Sequence, residues 1–143
     1  MKIVNLDKSY LGQICDLYAN GFEDGWNLNM LSSAFDTGRF CVYGAFDGDS
    51  LVGAVSVSVA MDEADLESIF VLENYRHQKI ATLLFDNVQN LLLSKGIKKI
   101  FLEVRKSNTP AKTFYLKSGF SEISVRKKYY PDGEDALILV KEF

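Results

Sequence analysis

The sequence predicts one mixed α/β domain of order βααβββαβαββ over residues 1–143, and three observations carry that prediction. Short segments alternate apolar and polar side chains, the mark of half-buried strands, and between them apolar residues recur at helical spacing. A strand–helix–strand unit at residues 65–105 demands a right-handed crossover, so those two strands are parallel, whereas the meander before them is antiparallel. Hydrophobic residues make up 48% of 143, enough to bury an ordinary core. A sheet that changes direction in this way has a place where its strands part, and a ligand can wedge there.

The elements follow in order. Lys2 to Leu6 alternates as a first strand. With Asp7 or Ser9 as cap, Leu11, Ile14, Cys15, Tyr18 and Phe22 mark a helix burying one face. Asn27 caps a shorter helix with Met30, Leu31, Ala34 and Phe35 on one side. Strands at Phe40 to Phe46 and Leu51 to Val59 join through Asp47-Gly-Asp49, and a third runs from Asp65 to Leu72. Ile80, Leu83, Leu84, Val88, Leu91 and Leu92 form the longest helical stripe, ended by Lys95-Gly96. Lys99 to Arg105 is a strand and Thr109 to Ser118 a helix stopped by Gly119. Phe120 to Tyr130 and Glu134 to Glu142 close the chain as strands around Pro131-Asp-Gly133.

Composition narrows the function. A net charge of −3 argues against broad binding to nucleic acid or an anionic membrane. No long apolar run spans a bilayer, and Met1 to Asp7 is unlike a signal peptide. Cys15 and Cys41 sit among apolar residues as free thiols of a reducing compartment. One histidine and no paired Cys/His spacing leave no metal site. A cytoplasmic, metal-free chain is expected.

Two stretches carry chemistry. Glu67 to Leu84 reads as strand, tight loop, helix, and loop amides at a helix N-terminus cradle an anion such as a pyrophosphate. Leu102 to Phe120 supplies a carboxylate, an amide and a phenol (Glu103, Asn108 and Tyr115) in a spacing that acyl transfer can use. Alternation sets Glu103 opposite Ile100, Leu102 and Val104, facing a cleft rather than the main core. A carboxylate in an apolar setting is a better base, which suits proton abstraction. The plain alternatives are a βα turn without ligand, a solvated glutamate, a helix-capping asparagine and a core tyrosine.

Arg76-His-Gln-Lys-Ile-Ala81 follows Val71-Leu-Glu-Asn-Tyr75 and precedes Leu83-Leu84 on a helix. In that context it resembles the acetyl-CoA loop of the GNAT superfamily of N-acetyltransferases, Arg/Gln-x-x-Gly-x-Gly/Ala, at all positions but one. The likeness covers nearly the whole chain. Leu102-Glu-Val-Arg-x-Ser-Asn108, Phe114-Tyr-x-x-x-Gly-Phe120, Trp26 and Asp62-Glu-Ala-Asp-Leu66 are similar to the bacterial ribosomal-protein-alanine N-acetyltransferases. Arg126-x-x-Tyr-Tyr130 and Asp132-Gly-Glu-Asp-Ala136 are shared with protein N-terminal acetyltransferases more widely.

The resemblance implies acetyl-CoA as donor and coenzyme A as product. Backbone groups of Ile69, Phe70 and Val71 would hold the pantetheine arm like an added strand. Arg76, His77, Gln78, Lys79, Ile80, Ala81 and Thr82 would surround the pyrophosphate, and Asn108 would serve the cofactor through its amide. Glu103 is implied as general base through a water, and Tyr115 as the acid facing the departing thiolate. A thiol (~8.5) is a stronger acid than a phenol (~10), so proton donation is uphill and hydrogen bonding to the thiolate is the larger contribution. Trp26, Tyr129, Tyr130 and Glu134, with Asp135, are implied at the acceptor; core packing, cross-strand pairing and turn chemistry are their plain alternatives.

The implied acceptor is a protein N-terminus, in particular the N-terminal alanine of a small-subunit ribosomal protein. A lysine costs roughly 3 kcal/mol more than an α-amine to deprotonate at neutral pH, which favours the α-amine over a lysine acceptor. A small-molecule amine is the competing acceptor, and a non-catalytic acyl-CoA-binding module is the competing class. Lys79 departs from the family glycine. Either it takes ordinary helical angles and lays its ammonium near the phosphates, or it crowds the loop.

Overall fold

Alternation and helical periodicity resolve into one seven-stranded sheet with helices on both faces. The computed structural model describes residues 1–21 and 26–143; Phe22, assigned above to the first helical stripe, lies outside them. The elements are β1 (Lys2–Leu6), α1 (Leu11–Tyr18), α2 (Leu28–Asp36), β2 (Phe40–Asp47), β3 (Ser50–Ala60), β4 (Glu63–Val71), α3 (Ile80–Ser94), β5 (Lys99–Arg105), α4 (Thr109–Lys117), β6 (Ser121–Arg126) and β7 (Ala136–Glu142). The order matches the predicted βααβββαβαββ.

Local signals hold at most termini. Asp7 accepts from the Ser9 amide at 2.9 Å and caps a short 3-10 turn ahead of α1. Asn27 caps α2 through the Met30 amide at 2.9 Å. Gly48 (φ 59°) turns the β2–β3 hairpin, and Gly96 (φ 76°) follows the end of α3. Two expectations shift. Met30 is exposed and only Leu31 of α2 is buried, because one short helix turn cannot point both inward. The last two strands stop at Arg126 and resume at Ala136, since Lys128 (φ 53°) takes a left-handed turn that a strand cannot hold.

The strands run in the order β1-β2-β3-β4-β5-β7-β6. All neighbours are antiparallel except β4 and β5, which are parallel as the crossover requires. The last strand, β7, inserts between β5 and β6 and leaves β6 at an edge. On one face Leu84, Val88 and Leu92 of α3, with Tyr115 of α4, pack over Val55, Leu66 and Ile100. On the other, Ile14 and Tyr18 of α1 and Leu31 of α2 pack over Val42 and Ala54.

The functional geometry starts from a bulge. Ser56 pairs with Ser68 and Val57 with Leu66, so Glu67 is the extra residue on β4. A bulge breaks the two-residue repeat. Before it, Ala64 and Leu66 face the α3 side; after it, Ser68 and Phe70 face the α1 side, where Tyr18 hydrogen-bonds Ser68 at 2.8 Å. Near the same place the sheet parts. β4 and β5 pair only at Glu63↔Lys99, Ala64↔Ile100 and Asp65↔Phe101. Beyond that, β4 stays with β3 as far as Val71, whereas β5 follows β7 as far as Arg105.

Candidate active site

The loop from β4 into α3 is built from backbone. His77 (φ 64°) and Lys79 (φ 62°, ψ 22°) both take left-handed angles, each a conformation costing a non-glycine residue about 1–3 kcal/mol. Lys79 therefore does not take the ordinary helical angles expected of it; it holds the backbone conformation that a glycine would supply. It is the N-cap of α3, and no side chain caps that end. First-turn N–H groups have no partner within a helix, so they stay available to an anion. Gly53 allows this end of β4 to sit close: a Cβ there would lie 3.1 Å from the Phe70 carbonyl oxygen and 3.3 Å from Leu84.

Side chains brace the loop from behind. Arg76 Nε donates to the Val71 carbonyl at 3.2 Å, and its guanidinium lies 5.9 Å from the Phe70 ring centre. The Tyr75 hydroxyl donates to Asp47 at 2.7 Å and ties the loop to the β2–β3 hairpin. Among the described residues, no strand pairs with the β4 edge facing β5 between Asp65 and this loop. Ile69, Phe70 and Val71 lie on that open edge.

A cleft of about 550 Å³ opens where the sheet parts, lined among others by Asp65, Glu67, Glu103, Arg126, Tyr129 and Tyr130. Alternation along β5 holds: Ile100, Leu102 and Val104 are buried, and Glu103 points the other way into the cleft. Its surroundings are polar, against the apolar setting expected. Arg126 Nη1 stands 3.4 Å from the Glu103 carboxylate, and the Tyr129 hydroxyl donates to it. Tyr129 in turn is harder to ionise, first through that hydrogen bond and then through the Glu103 charge.

Glu67 and Asp65 line the same cleft, although neither stands among the candidates singled out from the sequence. Burial pushes the Glu67 carboxyl up, a hydrogen bond with Ser58 opposes this, and Asp65 and Glu103 push it further. Asp65 is likewise raised by burial and then by Glu103. Asp65 and Glu67 alternate with buried Leu66 on one face of β4 and line the cleft with Glu103. Among the described residues no group of three His, Cys, Asp or Glu side chains could hold a metal ion.

The remaining candidates fall in different places. Tyr115 is only 7% exposed and packs edge-on against Phe114 and Phe120, with ring centres 5.6 and 5.7 Å away. Burial first, and then Tyr130, push its hydroxyl well above the ordinary phenol range. Such a hydroxyl donates a hydrogen bond far more readily than a proton. Asn108 Oδ1 accepts from Ala111 N at 3.3 Å and caps α4, so the capping alternative is realised; its Nδ2 takes no part in that cap.

Tyr129 and Tyr130 sit in the loop between β6 and β7 rather than on a strand. Their rings meet nearly at right angles 5.1 Å apart, with Arg105 4.0 Å over Tyr130 and Arg126 5.5 Å over Tyr129. Glu134 is engaged elsewhere: it accepts from Arg105 at 3.1 Å and from the Ser107 amide at 3.0 Å, clamping this loop to the one before α4. A hydrogen bond from the Ser107 side chain first, and then the Arg105 guanidinium, hold the Glu134 carboxyl below the usual range. Trp26 stacks 5.6 Å from Phe40 at the margin of the α1–α2 core, in keeping with its plain packing alternative.

A parted sheet with an open β4 edge, leading to an uncapped helix N-terminus, is the architecture of an acyl-CoA-dependent transferase. The profile of the acetyltransferase (GNAT) family matches residues 11–120, and the chain belongs to that family of N-acetyltransferases. A Bacillus subtilis (strain 168) relative, named as a candidate [ribosomal protein bS18]-alanine N-acetyltransferase, is 30% identical over 141 residues, covering 97% of this chain and 90% of that protein. The crystal structure of the ribosomal-protein-S18-alanine N-acetyltransferase from Escherichia coli superposes with a TM-score of 0.91 at 27% identity, covering 99% of this chain and 92% of that one. The fold also matches an N-acetyltransferase from Thermoplasma acidophilum solved in complex with coenzyme A, with a TM-score of 0.76 at 18% identity and full coverage of both chains.

Proposed function

We propose that residues 1–143 act as one cytoplasmic catalytic domain transferring an acetyl group from acetyl-CoA to a protein N-terminal α-amine, with the N-terminal alanine of a small-subunit ribosomal protein as acceptor. The observation that carries this reading is the parting of β4 from β5. Among the described residues, it leaves the β4 edge beyond Asp65 without a neighbouring strand, running between the α3 cradle and the polar cleft. Pantetheine adds to that edge as a strand would, and the diphosphate takes the amides from His77 to Thr82. The names of the relatives supply the acceptor.

In this mechanism the amine enters between Glu103 and the Tyr129–Tyr130 pair. Glu103, through a water, draws off the ammonium proton, and the neutral nitrogen attacks the thioester carbonyl. Tyr115 hydrogen-bonds the departing sulfur and steadies its charge. Arg126 and Tyr129 hold the Glu103 carboxylate in place. Among the described residues no helix is long and apolar enough to cross a membrane. Incubation with acetyl-CoA and a peptide beginning with alanine should add one acetyl group to the α-amine, read by mass spectrometry. Transfer to small amines but to no peptide would sink the acceptor assignment.

A further inference from the structure

We infer that Glu67 is a further catalytic residue, the carboxylate on which the acceptor amine's proton comes to rest; this deepens, and rests on, the acetyl-transfer reading above. Glu67 occupies the bulge of β4 and lines the same cleft as Glu103. The two carboxylates are unequally engaged. Glu103 already shares its charge with the Arg126 guanidinium and the Tyr129 hydroxyl. Among the described residues no cation pairs with Glu67. The groups facing it are the Ser58 hydroxyl from β3, Asp65 from its own strand and Glu103 from β5, with Tyr129 within electrostatic reach.

That arrangement makes protonation of Glu67 productive. Three carboxylates around one cleft attract an ammonium ion, and neutralising one of them relieves the repulsion among the rest. Burial acts in the same direction. The balance is complete without another reactant. The ammonium gives one proton to Glu67, directly or through the Glu103 water, and its lone pair forms the N–C bond. The C–S bond breaks, the second nitrogen proton ends on sulfur, and Glu67 later returns its proton to solvent.

The test uses the full chain with acetyl-CoA and a peptide beginning with alanine. Glu67→Gln is expected to lower kcat by about 100-fold at neutral pH while changing the KM for acetyl-CoA by less than about twofold. Much of the loss should be recovered near about pH 9.5, where the α-amine is already neutral. A kcat within about threefold of the parent at neutral pH overturns the inference and leaves acetyl transfer standing. Failure of the parent to acetylate any amine instead removes the acetyl-transfer reading itself. A titration of the side-chain carboxyl carbons by NMR needs no substrate. Glu67 is expected to titrate above its ordinary value and to move down in Glu103→Gln; titration at its ordinary value overturns the inference.

Discussion

The cradle at the end of β4 and the cleft beside its middle are built on different principles. The cradle is backbone: left-handed turns at His77 and Lys79 and the open end of α3, with side chains bracing from behind. The cleft is side chain: carboxylates, tyrosines and an arginine from four separate segments. The backbone of the cradle keeps its left-handed turn with a lysine at position 79. A side-chain site depends on register, and one residue of slip would turn Glu67 or Glu103 away.

The largest expected effects fall in the cleft. Glu103→Gln should reduce kcat by about 100-fold or more in a peptide acetylation assay, with acetyl-CoA binding by calorimetry unchanged. Tyr115→Phe should follow at roughly 10- to 100-fold in kcat, since the buried hydroxyl is lost while the ring keeps its packing. Equal losses in cofactor affinity would break the division between the two regions. Glu134→Ala releases the clamp on the tyrosine loop, so the KM for peptide should rise by about tenfold and that for acetyl-CoA should not.

Smaller effects sharpen the comparison. Lys79→Gly relieves a left-handed lysine, and chemical denaturation should show a gain of about 0.5–1 kcal/mol. A backbone-built cradle requires the KM for acetyl-CoA to move by less than about threefold. Glu67→Gln should raise the melting temperature at neutral pH. Its carboxyl is raised in the folded state, so the native chain holds a proton longer than the unfolded one. That contribution to stability is complete in acid and is lost as pH rises through the raised value. The gain from Glu67→Gln should therefore vanish below the ordinary glutamate range, which a melting series across pH will read.

The same contrast explains what the sequence disclosed. The β5 bounds, the Asn27 cap and the parallel crossover are local or periodic signals, and the structure keeps them; the α3 stripe holds except that Leu83 is exposed and Phe85 is buried in its place. The loop at 76–81 was legible because backbone conformation leaves a short pattern. The bulge at Glu67 was not, because Leu66-Glu67-Ser68 alternates perfectly well without one; only its pairing with Ser56 and Val57 exposes it. The place of Glu67 in the cleft went unseen for that reason. Nothing local announced that Lys128 would turn left-handed, or that Glu134 would find Arg105 and Ser107 across the chain.

The insertion of β7 between β5 and β6 also sets a timetable for synthesis. Strands β1 to β4 can zip together as they emerge, because each pairs with its predecessor. β5 then has only its short parallel contact with β4, and β6 has no backbone neighbour at all until Ala136 to Glu142 arrives. The half of the sheet carrying Glu103 and the tyrosine loop thus closes only after β7 has left the ribosome. A nascent chain halted before β7 can form the loop between β4 and α3 but not the cleft that holds Glu103 and the two tyrosines.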